Sequence, residues 1–351
     1  MVRVLIDVKG WILVELNERK RAILSAIIGA YTQHGEPIGS KALCDMLDFS
    51  LSSATLRNEM SDLCELGYLE QPHTSAGRIP TVLAYKLYID NLMKRDAVSG
   101  DMKLIIDSML SAVSGGVDDI ALSASQILSE LTGMPVITSR VADLSDKIKR
   151  VAFMPLGLRS LLIVLMTENG IVKSTSLRCD IGANPQITEQ LRNLCEEHIV
   201  NKPLSALTKT YLQQMLTFAD DISIISLVAP LFELIEDAKS SKIILRGESK
   251  LFRCCNHDGE VFRLFETLSQ KELMLSLLSS VDSPVGVLFG NDTDINELKP
   301  TTIVLAKYGS GGHTLGQIGI IGPTRMSYDR LIPSLEYFAE KMSEVISESL
   351  L

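Results

Sequence analysis

Apolar residues recur at helical spacing in the first hundred positions of the chain. A first helix is predicted after Asn17, a capping residue, and it ends at Gly35 and Pro37. Its apolar side chains fall on one side and comprise Ile23, Leu24, Ile27, Ile28 and Tyr31. A short helix from Ser40 and a third helix from about Ser53 to Leu66 follow. The segment therefore predicts three consecutive helices.

The residues after the third helix predict a hairpin. That helix has one apolar stripe for packing, formed by Leu56, Met60 and Leu63. Residues 68–71 read as a short strand, and HTSAGR at 73–78 reads as a hairpin tip. Three helices and a hairpin are the plan of a winged helix-turn-helix. A fourth helix from near Thr81 leads to a linker around residues 94–101.

Beyond the linker the period changes from helix to strand. Residues 101–132 are helical in pattern, and β-rich apolar runs then occupy 150–155, 160–167, 171–177, 285–289, 302–308 and 317–322. Residues 185–280 are largely helical, with one possible strand at 242–246. Strand blocks separated by a helical block indicate an α+β domain with an insertion.

Charge is distributed unevenly over the 351 residues. The chain has a net charge of -9, with 34 Lys and Arg against 43 Asp and Glu. Residues 1–95 contain 11 of each sign, so the acidic excess of 32 against 23 lies after them. An acidic body disfavours a nucleic-acid partner in general, but a small neutral module can still present its positive residues on one face.

Length and cysteine usage indicate a cytoplasmic protein. A chain of this length and 46% hydrophobic content can form two or three domains. Its uncharged apolar stretches are shorter than the roughly 20 residues that span a bilayer, and no small-residue cleavage site follows the apolar start. The six scattered cysteines are best read as free thiols.

The third helix and the hairpin supply the candidate DNA-binding residues. A helix-turn-helix places the first turn of its second helix at the base edges in the major groove. Here that turn offers Ser52, Ser53, Thr55, Arg57 and Asn58. The helix alone reads equally as an ordinary solvated helix with a serine cap.

The hairpin favours DNA, because a basic wing can reach phosphates or a narrow minor groove. Its candidate residues are His73, Thr74, Ser75 and Arg78, and Lys41 before them could contact the backbone. Arg19, Lys20 and Arg21 could add backbone contacts.

The sequence predicts no catalytic, cofactor or metal site. Residues 308–322 are glycine-rich, but they lack the lysine of a P-loop, and a strand follows them where a dinucleotide fingerprint needs a helix. They predict a flexible hairpin with glycines at positive φ. The five histidines are dispersed, and no paired metal-ligand spacing accompanies them.

Long strings at both ends of the chain resemble the HrcA family of heat-inducible transcription repressors. The strings are GEPIGSKAL at 35–43, SSATLRNEM at 52–60, QPHTSAGRIPT at 71–81 followed by YIDNLM, and GQIGIIGPTRMSY at 316–328. The resemblance extends from about residue 16 to the end. Residues 1–16 precede the usual family start and are assigned no role. Ala84 and Lys86 stand where the family tends to have Gly and Arg, which bears on a DNA-backbone contact from Lys86.

The resemblance implies an α+β multidomain fold. It implies a winged-helix DNA-binding domain at 1–95, a GAF-like α/β domain at 101–185 and 275–351, and a mostly helical inserted dimerising domain at 186–274. It also implies that a homodimer binds an inverted-repeat operator in double-stranded DNA and represses chaperone operons. Heat would inactivate the repressor, and a GroEL-type chaperonin would restore it.

Three other classes of function remain open at this point. A GAF-like domain could bind a metabolite and make the protein a ligand-responsive regulator. An enzyme would hold a nucleotide in the 308–322 loop. A scaffold without DNA would leave the Arg78 wing unexplained.

Overall fold

The computed structural model describes residues 4–6, 12–14, 16–47, 51–73, 76–178, 185–215, 222–254 and 258–350. Within these ranges the helices are α1 (Glu18–His34), α2 (Ser40–Cys44), α3 (Ser53–Glu65), α4 (Val82–Leu87), α5 (Gly100–Ser111), α6 (Val117–Thr132), α7 (Pro185–His198), α8 (Lys209–Met215), α9 (Ile222–Ala238), α10 (Asp258–Leu268), α11 (Lys271–Ser279) and α12 (Tyr328–Ser349). The strands are β1 (Val4–Ile6), β2 (Ile12–Val14), β3 (Leu69–Glu70), β4 (Ile79–Pro80), β5 (Val136–Arg140), β6 (Ile148–Gly157), β7 (Ser160–Thr167), β8 (Val172–Arg178), β9 (Lys242–Arg246), β10 (Val285–Phe289), β11 (Thr301–Ser310) and β12 (His313–Pro323).

The chain divides into two compact units. The first unit comprises Met1–Val98, Phe289–Thr302 and Gly322–Ser334. The second unit comprises the remaining segments, Ser99–Leu288, Ile303–Ile321 and Leu335–Leu351. No helix among the described residues is both long enough and apolar enough to cross a membrane.

The first unit contains a winged helix, as the sequence predicts. Helix α1 begins where Asn17 accepts a hydrogen bond from the Lys20 amide at 2.8 Å, and it ends at Gly35, which adopts the left-handed conformation with φ of 74°. Four residues of its predicted apolar side, Ile23, Leu24, Ile27 and Ile28, are buried, and Tyr31 is half-buried. Strands β3 and β4 pair antiparallel to form the wing, and the backbone of Ile38 pairs with that of Arg78 beside them.

Most residues of a five-stranded sheet belong to the second unit. Its strand order is β10-β11-β12-β5-β9, and β5 is antiparallel to both of its neighbours. Strands β11 and β12 form a hairpin that turns at Gly311 and Gly312, whose φ angles are 57° and 82°. The prediction of a glycine-rich hairpin at 308–322 is therefore confirmed.

Strands β6, β7 and β8 form a separate three-stranded sheet. Their inward side chains share one buried apolar cluster with α7, α8 and α9, so that the described residues between 148 and 238 pack around a single core. The six predicted strand runs and the possible strand at 242–246 are all present. The sequence-based boundary at 185/186 lies at the first residue of α7 and stays a prediction. In the sequence, β6–β8 show the same local pattern of apolar residues as the strands of the larger sheet. That pattern does not reveal which strand pairs with which.

A buried ionic cluster joins this inserted segment to the five-stranded sheet. Asp118 of α6 pairs with Arg140 of β5 and with Lys173 of β8, the latter at 2.7 Å. Lys173 also pairs with Asp237 of α9 at 2.6 Å, and Lys242 of β9 lies within 3.2 Å of Asp118. Arg140 and Lys173 are only 3% and 7% exposed. Buried charges of this kind depend on their partners, because their hydration has been lost.

Candidate DNA-binding interface

Hydroxyl groups fix the start of α3. Ser52 caps the helix by accepting a hydrogen bond from the Thr55 amide at 3.1 Å, and its hydroxyl also lies 2.8 Å from that of Thr55. The Ser53 hydroxyl is 3.0 Å from that of Ser40 at the start of α2. The predicted site residues Ser52 and Thr55 thus cap α3, and Ser53 links it to the start of α2.

Three predicted contact residues are exposed on α2 and α3. Arg57 and Asn58 follow Thr55 on α3, and Lys41 lies near the start of α2. None of the three side chains has a hydrogen bond or ion pair with the part of the chain that is described. The opposite stripe of α3 is buried at the predicted positions Leu56, Met60 and Leu63. Packing on one side therefore leaves a guanidinium, an amide and an ammonium available on the other.

Two of the acidic residues on α3 pair with basic residues of α1. The Lys20 ammonium donates to Glu59 at 2.8 Å and to Asp62 at 2.7 Å. The hydrogen bond to Asp62 has the largest effect and raises the pKa of Lys20, and the hydrogen bond to Glu59 raises it further. Glu59 is 13% exposed and also lies 3.5 Å from Arg19. This cluster was not predicted from the sequence, although Glu59 and Asp62 lie one helical turn apart on a helix expected to face an anion.

The basic residues at the start of α1 are therefore engaged within the module. Lys20 holds the two α3 carboxylates, and Arg21 donates from its Nε to the Leu16 carbonyl oxygen at 2.9 Å. Arg19 keeps about half of its side chain exposed. Of the three backbone contacts suggested by the sequence, Arg19 is the one whose side chain remains open to a phosphate.

The wing passes close to the segment between α1 and α2. A Cβ atom on Gly77 would overlap the backbone of Pro37 and Ile38, so this position requires glycine. Arg78 next to it is half-buried; its Nη1 is 3.5 Å from the Ala76 carbonyl oxygen, and its buried Nε has no protein partner among the described residues. Arg78 thus lies at the base of the wing rather than at its tip.

The remaining wing residues can be placed only in part. His73 is exposed, and its carbonyl accepts a hydrogen bond from the Ala76 amide at 2.9 Å. Thr74 and Ser75 lie outside the described residues. The wing therefore offers an imidazole near its tip and a guanidinium with unused donor capacity at its base.

Comparisons with known proteins agree with this geometry. A family model described as "Winged helix-turn-helix transcription repressor, HrcA DNA-binding" matches residues 15–93, and one described as "HrcA protein C terminal domain" matches residues 118–332. The first match includes all ten predicted contact residues.

Curated relatives and a solved structure match almost the whole chain. The "Heat-inducible transcription repressor HrcA" of Clostridium perfringens is 32% identical over 343 residues, which are 94% of this chain and 99% of the relative. That of Thermoanaerobacter pseudethanolicus is 30% identical over 95% of this chain and 97% of its own. A crystal structure of a hypothetical protein covers 95% of this chain and 98% of its own with a TM-score of 0.66 and 23% identity, which supports the fold alone.

Proposed function

Because the chain belongs to the HrcA family of heat-inducible transcription repressors, we propose that it represses heat-shock chaperone operons as a cytoplasmic homodimer bound to an inverted-repeat operator. The observation that carries this proposal is the exposed polar side of α3, where Arg57 and Asn58 have no partner in the described part of the chain. A buried apolar stripe holds the opposite side of the same helix in place.

Each side of the module has a distinct role in this proposal. Arg57 can donate two hydrogen bonds to a guanine, and Asn58 can pair with an adenine, so these two residues read bases in the major groove. The amino terminus of α3 at Ser52, Ser53 and Thr55 attracts a phosphate, and Lys41 binds the same strand. These contacts set register and affinity, whereas the two α3 side chains set sequence preference.

The wing contacts the DNA backbone or the minor groove beside the helix. Arg78 is only half-buried, so the outer nitrogens of its guanidinium can donate to a phosphate oxygen. His73, Thr74 and Ser75 would add contacts nearer the tip. A wing contact with phosphate strengthens binding to every sequence and depends strongly on salt.

An apolar surface on the inserted segment supports the homodimer. The outward side of the β6–β8 sheet and its β6–β7 turn expose Met154, Leu156, Leu158, Leu162 and Val164 to different degrees. Leu158 is 91% exposed at the turn. Burial of this surface against a second copy would remove it from water, and a two-fold interface would bury it twice. Because the described residues between 148 and 238 share one core, the dimerising segment proposed here includes β6–β8 as well as α7–α9.

Dimerisation also connects DNA binding to heat. Two winged helices at a fixed spacing read both halves of a palindrome, whereas one winged helix binds weakly. Warming that loosens the dimer or unfolds part of it would therefore release the operator without any chemical step. A GroEL-type chaperonin would return the repressor to its active form, so that repression follows the supply of free chaperonin.

Fluorescence anisotropy of a labelled duplex tests the proposal. The duplex is an inverted repeat that the protein selects from a random pool, and the comparison duplex contains the same bases in scrambled order. We expect tight binding to the inverted repeat, loss of that binding after mild heating, and recovery when chaperonin and ATP are added. Equal weak binding to both duplexes at low and high salt would overturn the repressor assignment.

A further inference from the structure

The carboxyl-terminal string PTRMSY contacts the winged helix within the first unit. DNA recognition by α3 and the wing leaves this string without a role. Arg325 and Tyr328 of the string approach α1 and α4, which are more than 200 residues away along the chain. The FGND string at 289–292 approaches α4 as well.

Aromatic rings form the apolar part of this contact. Tyr328 packs against Tyr85 of α4 with ring centroids 5.7 Å apart at an interplanar angle of 60°. It also packs against Phe289 at 6.3 Å and 52°. All three rings are buried, and tilted aromatic pairs at such distances attract one another beyond their burial. The Tyr328 hydroxyl donates to the Thr324 carbonyl oxygen at 2.8 Å, which fixes its ring.

Lys86 forms the polar part of the contact. Its ammonium lies 2.6 Å from the Asp292 carboxylate and 5.8 Å from the centroid of the Phe289 ring. The Lys86 side chain is only 14% exposed. The position that the family resemblance associated with a DNA-backbone contact is therefore occupied by a lysine that is paired inside the protein.

Two further contacts hold the ends of the module. The Arg325 guanidinium lies 5.8 Å from the centroid of the Tyr31 ring, next to the last turn of α1, where a cation is favoured by the helix dipole. The amide of Asp96, in the segment that leaves the winged helix, donates to the Asp329 carbonyl oxygen at 3.0 Å. The module is thus attached through its first helix, its fourth helix and its exit segment.

We propose that Lys86, Asp292, Phe289, Tyr85 and Tyr328 form a clamp that sets the spacing between the two recognition helices of the dimer. The clamp is a specificity determinant that touches no base. It rests on the proposed function, because only a dimer that reads an inverted repeat has a half-site spacing to select.

The reasoning follows from how the module is connected. Residues 93–98 are the direct covalent link from the winged helix to the following residues, and such a short segment does not by itself fix an orientation. The clamped segment 289–302 continues into β11. The clamped segment 322–334 begins at the end of β12 and continues into α12. Contacts that fix the module to these segments restrict the separations that two α3 helices can adopt. A dimer with restricted separation binds one operator spacing, whereas freely tethered modules tolerate several.

The test measures spacing preference separately from affinity for one half-site. The inverted repeat selected by the wild-type protein is resynthesised with its central spacer changed by about half a helical turn, ~5 base pairs, and also as a single half-site. The variants are Lys86→Met, Asp292→Asn and the charge exchange Lys86→Asp with Asp292→Lys. Lys94→Met is the matched control. Lys94 is exposed, and its substitution removes the same charge outside the clamp.

We expect the wild type and Lys94→Met to lose roughly 100-fold in affinity when the spacer is changed, because the second half-site is lost. Lys86→Met and Asp292→Asn should lose less than about tenfold, and the charge exchange should recover the preference. All variants should bind the single half-site like the wild type, which shows that the module is folded.

The outcomes separate this inference from the function on which it rests. If the wild type selects no inverted repeat, the proposed function fails. The wild type can select an inverted repeat while Lys86→Met and Asp292→Asn each keep the full spacing preference. In that case the proposed role of the clamp is wrong, and the repressor assignment stands.

Discussion

Replacing Asp118 by asparagine removes the central carboxylate of the ionic cluster that joins α6, β5 and β8. Burial alone would raise the pKa of Asp118, but the charges of Arg140, Lys173 and Lys242 outweigh it and lower the pKa from 3.8 to about 2. In the variant, Arg140 and Lys173 would be left buried with less countercharge. Lys173 keeps Asp237 as a second partner, so we expect a loss near the lower end of the range for broken buried pairs, about 3 kcal/mol.

The same carboxylate makes stability depend on acid. A carboxyl whose pKa is lower in the folded chain stabilises the fold when it is ionised, above its ordinary pKa of 3.8. That contribution is lost as the pH falls from about 4 through about 2. The lowering corresponds to roughly 2–3 kcal/mol. Asp118→Asn should therefore be less stable at neutral pH and should lose less stability than the wild type over this acidic range.

Urea unfolding followed by circular dichroism between pH 2 and 7 tests both parts. The loss at neutral pH should also lower the melting temperature by roughly 6–12 °C for a unit of this size. Asp282→Asn is the control, because Asp282 is exposed and its side chain has no hydrogen bond or ion pair among the described residues. Parallel pH profiles for Asp118→Asn and the wild type would refute the assignment of the acid dependence to this cluster.

Four further changes test the DNA-binding face and the dimer. Arg57→Ala should cost about 1–3 kcal/mol of binding free energy at one base pair of the operator and relax the sequence preference there. Arg78→Ala should weaken binding to all duplexes evenly and reduce the slope of affinity against salt by about 1. Affinities for single-base operator variants at several salt concentrations distinguish the two. Lys20→Met should destabilise the winged helix by about 1.5–3 kcal/mol, because two α3 carboxylates lose their donor, and adding Glu59→Gln should recover part of the melting temperature. No recovery would mean that Lys20 acts through packing. Leu158→Asp should weaken the dimer by at least about 2 kcal/mol in sedimentation equilibrium while leaving the melting temperature of the monomer nearly unchanged; an unaltered dimer would place the interface elsewhere.

Local patterns were sufficient for the secondary structure around the site. Asn17, Gly35 and the apolar spacing of α1 predict its two ends and its buried side, because caps and periodicity act over a few residues. The same holds for α3, whose capping serine and apolar stripe lie where the sequence indicates. The ten predicted contacts nevertheless remain predictions, since exposure shows that a side chain is available and not what it binds.

Long-range pairing was the part that local patterns could not supply. Arg78 reads as a tip residue next to a glycine, yet its backbone pairs with Ile38, 40 residues earlier. Asp118 and Lys173 are 55 residues apart, and neither belongs to a repeating pattern. Lys86 stands at a position that the family resemblance associates with a DNA-backbone contact, yet the fold brings Asp292 next to it. Each of these partners is chosen by tertiary packing, which a single sequence does not encode in a local period.

The pairing of charges also explains how an acidic chain can present a DNA-binding face. Residues 1–95 contain equal numbers of acidic and basic residues, so net charge alone gives the module no attraction for phosphate. Within the fold, Lys20 pairs with Glu59 and Asp62 on α3, and Arg19 lies near Glu59 as well. Arg57 and Lys41 remain exposed without partners in the described chain. Internal pairing thus offsets part of the acidic charge of α3, and local arrangement, rather than the overall charge of -9, determines which surface can meet DNA.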